Sequence, residues 1–213
     1  SAVYTWRSNP LLAEKDIEEA RKATTRALFA QEYECEWTTT ESQIYEGLDE
    51  NKHIGEYTGE RFLEVIGGLD VGYRDDNVFV VIGNDGDNYY ILDEYISKES
   101  TTSELASAIQ DKIDEWNIDT IYIDSAAQQV KADFAYDYDI YCENAIKSVN
   151  DGINYIQVLV EKDRLYFDTL GASHTFAAMS SYKWNPNTEN PKPVHDWASH
   201  PCDAVRYAIY THS

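Results

Sequence analysis

Apolar positions change period twice along this chain. Over residues 14–32 they fall at Ile17, Ala20, Ala23, Ala27 and Leu28, three or four apart, which predicts one face of an amphipathic helix. Asn9-Pro10 marks a turn ahead of it. The stretch EYECEWTTTESQIYEGLDENKHIGEYTGE, residues 32–60, is polar and keeps no period, so a linker is expected there. Residues 1–60 are thus read as a helix and linker, and residues 61–213 as the main domain.

From Arg61 short apolar runs alternate with helical patterns. RFLEVIGGLDVG predicts a strand ending in a Gly-rich turn, NVFVVIG a second strand and NYYILDEYIS a third. Asn84-Asp85-Gly86-Asp87 lies between the last two, and aspartate-glycine between apolar runs is a hairpin signal, so the three should be antiparallel neighbours. Thr101 with Glu104 forms a capping box for a helix whose apolar positions are Leu105, Ala108, Ile109, Ile113 and Trp116. IDTIYIDSAA then predicts a fourth strand, AQQVKADFAYDY a helix, and the spacing a crossover with parallel pairing. Beyond these, residues 153–160 read as an apolar helix and RLYFD as a short extended segment. Residues 173–197, with KWNPNTENPKPVHDW at their end, are expected to be an irregular loop or hairpin. A final helix should begin near Ser199.

Composition narrows the class. A chain of 213 residues, 43% hydrophobic and with 17 tyrosines, can bury one sizeable core. It has neither a membrane-length apolar run nor a signal-peptide plan, so the cytosol is expected. Cys35, Cys142 and Cys202 are distant and odd in number, which argues for reduced thiols and against a disulfide framework or thiolate zinc site. The 39 acidic residues against 17 basic ones give a formal charge of -22, which ordinarily counts against nucleic acid as a partner. A local acidic cluster that holds divalent cations reverses that conclusion, because it presents positive charge to phosphate.

Three aspartates stand where such a cluster would form. Asp70 ends the first strand, Asp124 ends the fourth, and Asp203 opens the last helix within SHPCDAVRYAI. Any one of them serves equally as a turn residue or cap. If the first and fourth strands are adjacent, however, Asp70 and Asp124 emerge side by side, and a helix packed on the sheet delivers Asp203. Converging carboxylates repel one another unless a cation neutralises them, and hard oxygen ligands favour Mg²⁺ or Mn²⁺. Two such ions would suit in-line displacement at phosphorus.

GLDVGYRDDNVFVV, TIYIDSAA, NAIKSVNDGINYIQVLV and HDWASHPCDAVRYAI together resemble the C-terminal nuclease domain of the large terminase subunit of tailed bacteriophages. The resemblance covers about residues 61–213, and SHxxDAxRYA is its most specific part. It implies an α/β, RNase H-like fold: a central mixed sheet, three antiparallel strands then parallel ones, flanked by helices. It implies a two-metal Mg²⁺ or Mn²⁺ endonuclease that cuts double-stranded viral DNA concatemers, independent of sequence, during packaging. Asp70, Asp124 and Asp203 match the family's three metal-binding catalytic acids, His200 a histidine of part of the family, and Asp76 an auxiliary acid of some members. Implied partners are DNA, the portal protein, the small terminase subunit and the packaging ATPase region, met in the host cytoplasm and transiently at the procapsid portal. Residues 8–37 resemble the end of that ATPase region, yet GxxxxGK[ST] does not occur, so a fragment or a separately made nuclease is expected.

Other readings are weighed on the same residues. His195 and His200 lack a third soft ligand for zinc, and Cys202 fits a small buried residue better than a nucleophile. Lys131, Lys147, Lys162, Arg164, Lys183, Lys192 and Arg206 are the basic candidates for DNA contact, a sparse set that implies salt-sensitive backbone binding. The loop 183–192 is a candidate gate. Alternatives of function are a Holliday-junction-type resolvase of the same fold and a non-catalytic portal-docking module. An actin-like ATPase would need a second glycine-rich phosphate loop, which the sequence does not provide.

Overall fold

The computed structural model describes residues 14–24, 43–72, 75–186 and 192–213. Two compact units divide the chain after Ser42. In the first, the described residues form helix α1, Glu14–Ala23, with exposed ion pairs Lys15 to Glu19 and Arg21 to Glu18 on its surface. Residues 25–32 of the expected helix and Cys35 lie outside the described residues.

The second unit starts at Gln43, earlier than the expected boundary at Arg61. Ile44 and Tyr45 are buried, and a short helix, α2 (Glu50–His53), leads into β1 (Ile54–Gly55). A strand of two residues has no period to detect. It is held by pairing with Phe167 and Asp168 and by the Asp168 carboxylate, which accepts the Tyr57 amide at 3.0 Å. Strands β2 (Glu64–Asp70), β3 (Asp76–Asn84) and β4 (Tyr89–Lys98) follow as an antiparallel meander. Gly86, at φ 100°, turns the hairpin where aspartate-glycine signals it. Helix α3 (Thr102–Trp116) carries the predicted capping box, and β5 (Thr120–Ile123), α4 (Gln128–Asp137) and β6 (Cys142–Asn144) come next. Helix α5 (Val149–Glu161), β7 (Leu165–Asp168), helix α6 (Ser173–Ser181) and helix α7 (Ser199–His212) complete the unit.

The seven strands form one mixed sheet in the order β1-β7-β4-β3-β2-β5-β6. Pairings other than β2 with β3 and β3 with β4 are parallel. One face packs on α5, α6 and α7 through Ile66, Val78, Val80, Ile82 and Phe167; the other packs on α3 and α4 through Leu69, Phe79, Val81, Ile121 and Ile123. Both faces are covered, as expected for a central mixed sheet flanked by helices.

Two sequence expectations need correction. Gly67 and Gly68, expected to belong to a turn, lie inside β2, while the strand ends at Asp70 as expected. Residues 173–181, expected to be irregular, form α6 and bury Thr175, Phe176 and Met179. Its cap comes from a distant residue: the Glu94 carboxylate on β4 accepts the backbone N–H groups of His174 (2.8 Å) and Thr175 (2.7 Å) and the Thr175 hydroxyl. The prolines that suggested a loop all lie beyond residue 185.

Helix α7 crosses β2 with almost no space between the backbones. A Cβ on Gly68 would lie 2.0 Å from the Ala204 carbonyl oxygen, so only glycine allows this approach. Gly68→Ala is expected to destabilise the protein by about 1–3 kcal/mol as α7 is pushed off the sheet. A urea unfolding series would measure this, and wild-type stability would contradict the packing argument.

Candidate active site

Strand alternation decides which face each acid takes. In β2, Ile66 and Gly68 face α7 while Leu69 faces α3, so Asp70 falls on the α7 face. In β5, Ile121 and Ile123 face α3 and Tyr122 faces α7, which puts Asp124, one residue later, on the α7 face as well. β2 and β5 are parallel with Leu69 opposite Ile123, so Asp70 and Asp124 leave neighbouring strands at the same end. Ala204 is seated over Gly68, which places Asp203 and His200, in the first two turns of α7, over that end.

Each acid has a partner of its own. Asp70 is buried, and its Oδ2 accepts from His200 Nδ1 at 2.7 Å. Asp203 Oδ1 accepts from Arg206 at 2.8 Å (Nη2) and 3.2 Å (Nε). Asp124 Oδ1 accepts the Ala126 amide at 2.9 Å and lies 3.5 Å from Lys147 Nζ. Thus Asp70 and His200 are in direct contact, while Asp124 and Asp203 share that end of the sheet, each on a cation, and the three carboxylates do not form a group within 4.8 Å of one another.

The electrostatics tie the three together. Burial raises the Tyr207 phenol, and the charges of Asp70, Asp203 and Asp124 raise it further, so this one hydroxyl is under the influence of all three carboxylates. Burial also raises the Asp203 carboxyl; Arg206 opposes this and the neighbouring Asp70 charge adds to it. A carboxyl made reluctant to ionise by burial and a like charge is the electrostatic condition a divalent cation would relieve. The ligands offered here are hard oxygens, which fit Mg²⁺ or Mn²⁺.

Beside Asp203 lies a cavity of about 600 Å³, lined among others by Ser148, Asn150, Lys192, His195 and Ser199. Its wall includes the segment that follows α6, where Trp184 bridges Pro193 and the Asn185 amide donates to the Lys192 carbonyl at 2.8 Å. Residues 187–191 of the candidate gate lie outside the described residues.

Some candidates take other places. Arg206 is 3% exposed, over the Tyr207 ring and on Asp203, so it is no surface contact for DNA. A Cβ on Gly152 of α5 would come within 2.7 Å of its Cγ, so a glycine makes room for it. Lys131 donates to Asn144 Oδ1 and Arg164 to the Asp87 carbonyl. Cys202 is buried and its thiol is pushed far above its ordinary range, in keeping with a core residue. Asp76 opens β3 opposite Lys98. Its neighbour Asp75 is the acid that reaches the histidines: ligand atoms of Asp75, His195 and His200 all lie within 4.8 Å of one another. Asp75 and Tyr207 escaped the sequence reading, and the adjacent acids at 75 and 76 were the one available hint, since the choice between them depends on where β3 begins.

Comparison with known proteins identifies the architecture. Residues 67–210 match the model of the family described as Terminase RNaseH-like domain. The chain is 38% identical over 221 residues to the large terminase subunit of Escherichia phage T5, a match covering 97% of this chain and 50% of that protein. Its fold resembles the large terminase of a thermophilic bacteriophage in complex with ADP, at TM-score 0.82 and 20% identity over 99% of this chain and 54% of that one. It also resembles the nuclease domain of g2p, the large terminase of bacteriophage SPP1, with bound Mn, at TM-score 0.62 and 22% identity over 79% of this chain and 98% of that one. The chain spans about half the length of the phage T5 protein and of the thermophilic phage terminase. The matched segment holds the two strands and the helix that carry Asp70, Asp124 and Asp203, and the chain belongs to the terminase RNase H-like domain family.

Proposed function

We propose that this chain is a Mg²⁺- or Mn²⁺-dependent endonuclease that cuts double-stranded viral DNA concatemers during genome packaging. What supports this most is that Asp70 and Asp124 leave parallel neighbouring strands at the same end of the sheet, with Asp203 on the helix seated over that end. Kinship with a phage large terminase supports the DNA substrate. Work beside the packaging ATPase region, the small terminase subunit and the portal belongs to the same proposal.

In this reading Asp70, Asp124 and Asp203 hold two divalent cations, which when bound supply an activated water and neutralise charge at the scissile phosphate. Asp70 is oriented by His200, whose Nδ1–H fixes the carboxylate from the α7 side. Arg206, buried behind Asp203, opposes the effect of burial on that carboxyl and aims it. Lys147 beside Asp124 and Lys192 beside the cavity are placed to meet phosphates of a DNA strand, so binding should follow the backbone and weaken with salt.

Asp70→Asn, Asp124→Asn and Asp203→Asn proteins are each expected to lose about a hundredfold or more of plasmid cleavage in Mn²⁺. EDTA should spare the plasmid. Three folded variants cutting at the wild-type rate would refute the site, and preferential cutting of four-way junctions over linear duplex would favour a resolvase.

The contact between Asp70 and His200 also sets a pH dependence in the metal-free protein. The hydrogen bond to Asp70 raises the His200 imidazole above its ordinary value of 6.5, against the opposing effect of burial. Stability from this contact is therefore fully present below about pH 6.5, the unfolded value, and is lost as pH rises through the raised folded value. An NMR titration should find His200 titrating above the ordinary imidazole range, and Asp70→Asn should bring it down. An unchanged titration in Asp70→Asn would show that the pair does not form.

A further inference from the structure

His195, His200 and Asp75 form a cluster that the nuclease reading does not use as a whole. His195 follows the segment lining the cavity, His200 is on α7, and Asp75 precedes β3. The two imidazoles meet edge to face with centroids 5.4 Å apart, and His195 Nε2 lies 4.0 Å from Asp75 Oδ2.

Hydrogen bonding on the far side of each ring fixes its tautomer. The Ser199 hydroxyl spends its proton on the Asp196 carbonyl at 2.6 Å, so in its 3.1 Å contact with His195 Nδ1 it must accept. His195 therefore carries its proton on Nδ1, and its Nε2 faces the Asp75 carboxylate with a lone pair. His200 donates from Nδ1 to Asp70 Oδ2, which leaves its Nε2 for a ligand. A histidine whose second nitrogen donates to a carboxylate or hydroxyl is the arrangement that orients imidazole toward a metal.

We infer that Asp75, His195 and His200 bind a transition-metal ion such as Zn²⁺ or Co²⁺, at a site that adjoins Asp70 through His200 but takes none of Asp70, Asp124 and Asp203 as a ligand. Two imidazoles and one carboxylate suit borderline ions and disfavour Mg²⁺, so the ligand types separate the two sites chemically. Bonds of about 2.0–2.2 Å put ligand atoms about 3.3–3.5 Å apart on a tetrahedral ion, so the 4.0 Å separation needs only a small closure. His195, 74% exposed at its side chain, is free to make it. The bound ion would tie the cavity-lining segment to Asp75, just ahead of β3. This inference goes beyond the proposed nuclease activity and does not require it.

The test uses metal-stripped chain carrying Asp124→Asn and Asp203→Asn, titrated with Co²⁺ at pH 8 and followed by calorimetry and visible absorption. One equivalent should bind with a visible band of nitrogen-ligated Co²⁺. Adding His195→Ala or Asp75→Asn should weaken Co²⁺ by about tenfold or more without moving the unfolding midpoint of the metal-free protein. If the parent binds no Co²⁺, or both added variants bind as the parent does, the site is refuted. Should the Asp124→Asn, Asp203→Asn protein still cut plasmid, the nuclease assignment fails while the Co²⁺ result stands by itself.

Discussion

The near contact between the Gly68 backbone and the Ala204 carbonyl is the constraint from which the candidate site follows. A helix held against a strand at that distance cannot slide or rotate without a clash. Ala204, Val205, Ala208 and Ile209, all buried, hold the rest of α7 down. Since Asp203 directly precedes Ala204, its position is set to within the tolerance of that contact. The same pleat that turns Gly68 toward α7 turns Asp70 toward it two residues later. Close packing and acid placement are therefore one feature seen at two positions.

Gathering acids at one sheet end costs electrostatic energy, and the protein limits the cost with a hydrogen-bond donor or cation for each. Asp70 has His200, Asp124 has Lys147, and Asp203 has Arg206. These partners differ in how firmly they are held. Lys147 is largely exposed and can swing away, whereas Arg206 is buried and backed by the space at Gly152. The Arg206 Nη1 has no hydrogen-bond partner, so that guanidinium is anchored mainly through Asp203 and the Tyr207 ring. Removing one member of such a buried pair strands the other, which makes Arg206 a structural support of Asp203.

Much of the fold was legible because its signals were local. The β3 to β4 hairpin is written in Asp85-Gly86, the start of α3 in Thr101 and Glu104, and the seat of α7 in its alanines and Ile209. What stayed hidden was held by distant partners: β1 by Asp168, and α6 by the Glu94 carboxylate some 80 residues before its first turn. The site divides the same way. The places of Asp70, Asp124 and Asp203 at strand ends and a helix start are legible in the sequence, but Asp75 joins His195 and His200 only through the fold. Arg206 is a candidate DNA contact by residue type, but residue type carries no burial, and burial there depends on a glycine in another helix.

Under the proposed function a chain of charge -22 meets repulsion from DNA at long range, so its contacts with DNA must be made locally. The elements at the candidate site fall into two groups on this account. Asp70, Asp124 and Asp203 come from β2, the end of β5 and α7, which the sheet core immobilises. Lys147, Lys192, His195 and Asp75 come from connecting segments around that rim. Rigid acids keep the separation that cations require, while side chains on connections can adjust to a backbone whose path varies. On that proposal, placing charge for cations in the core and charge for phosphate on the rim would let one small surface serve two opposite electrostatic demands.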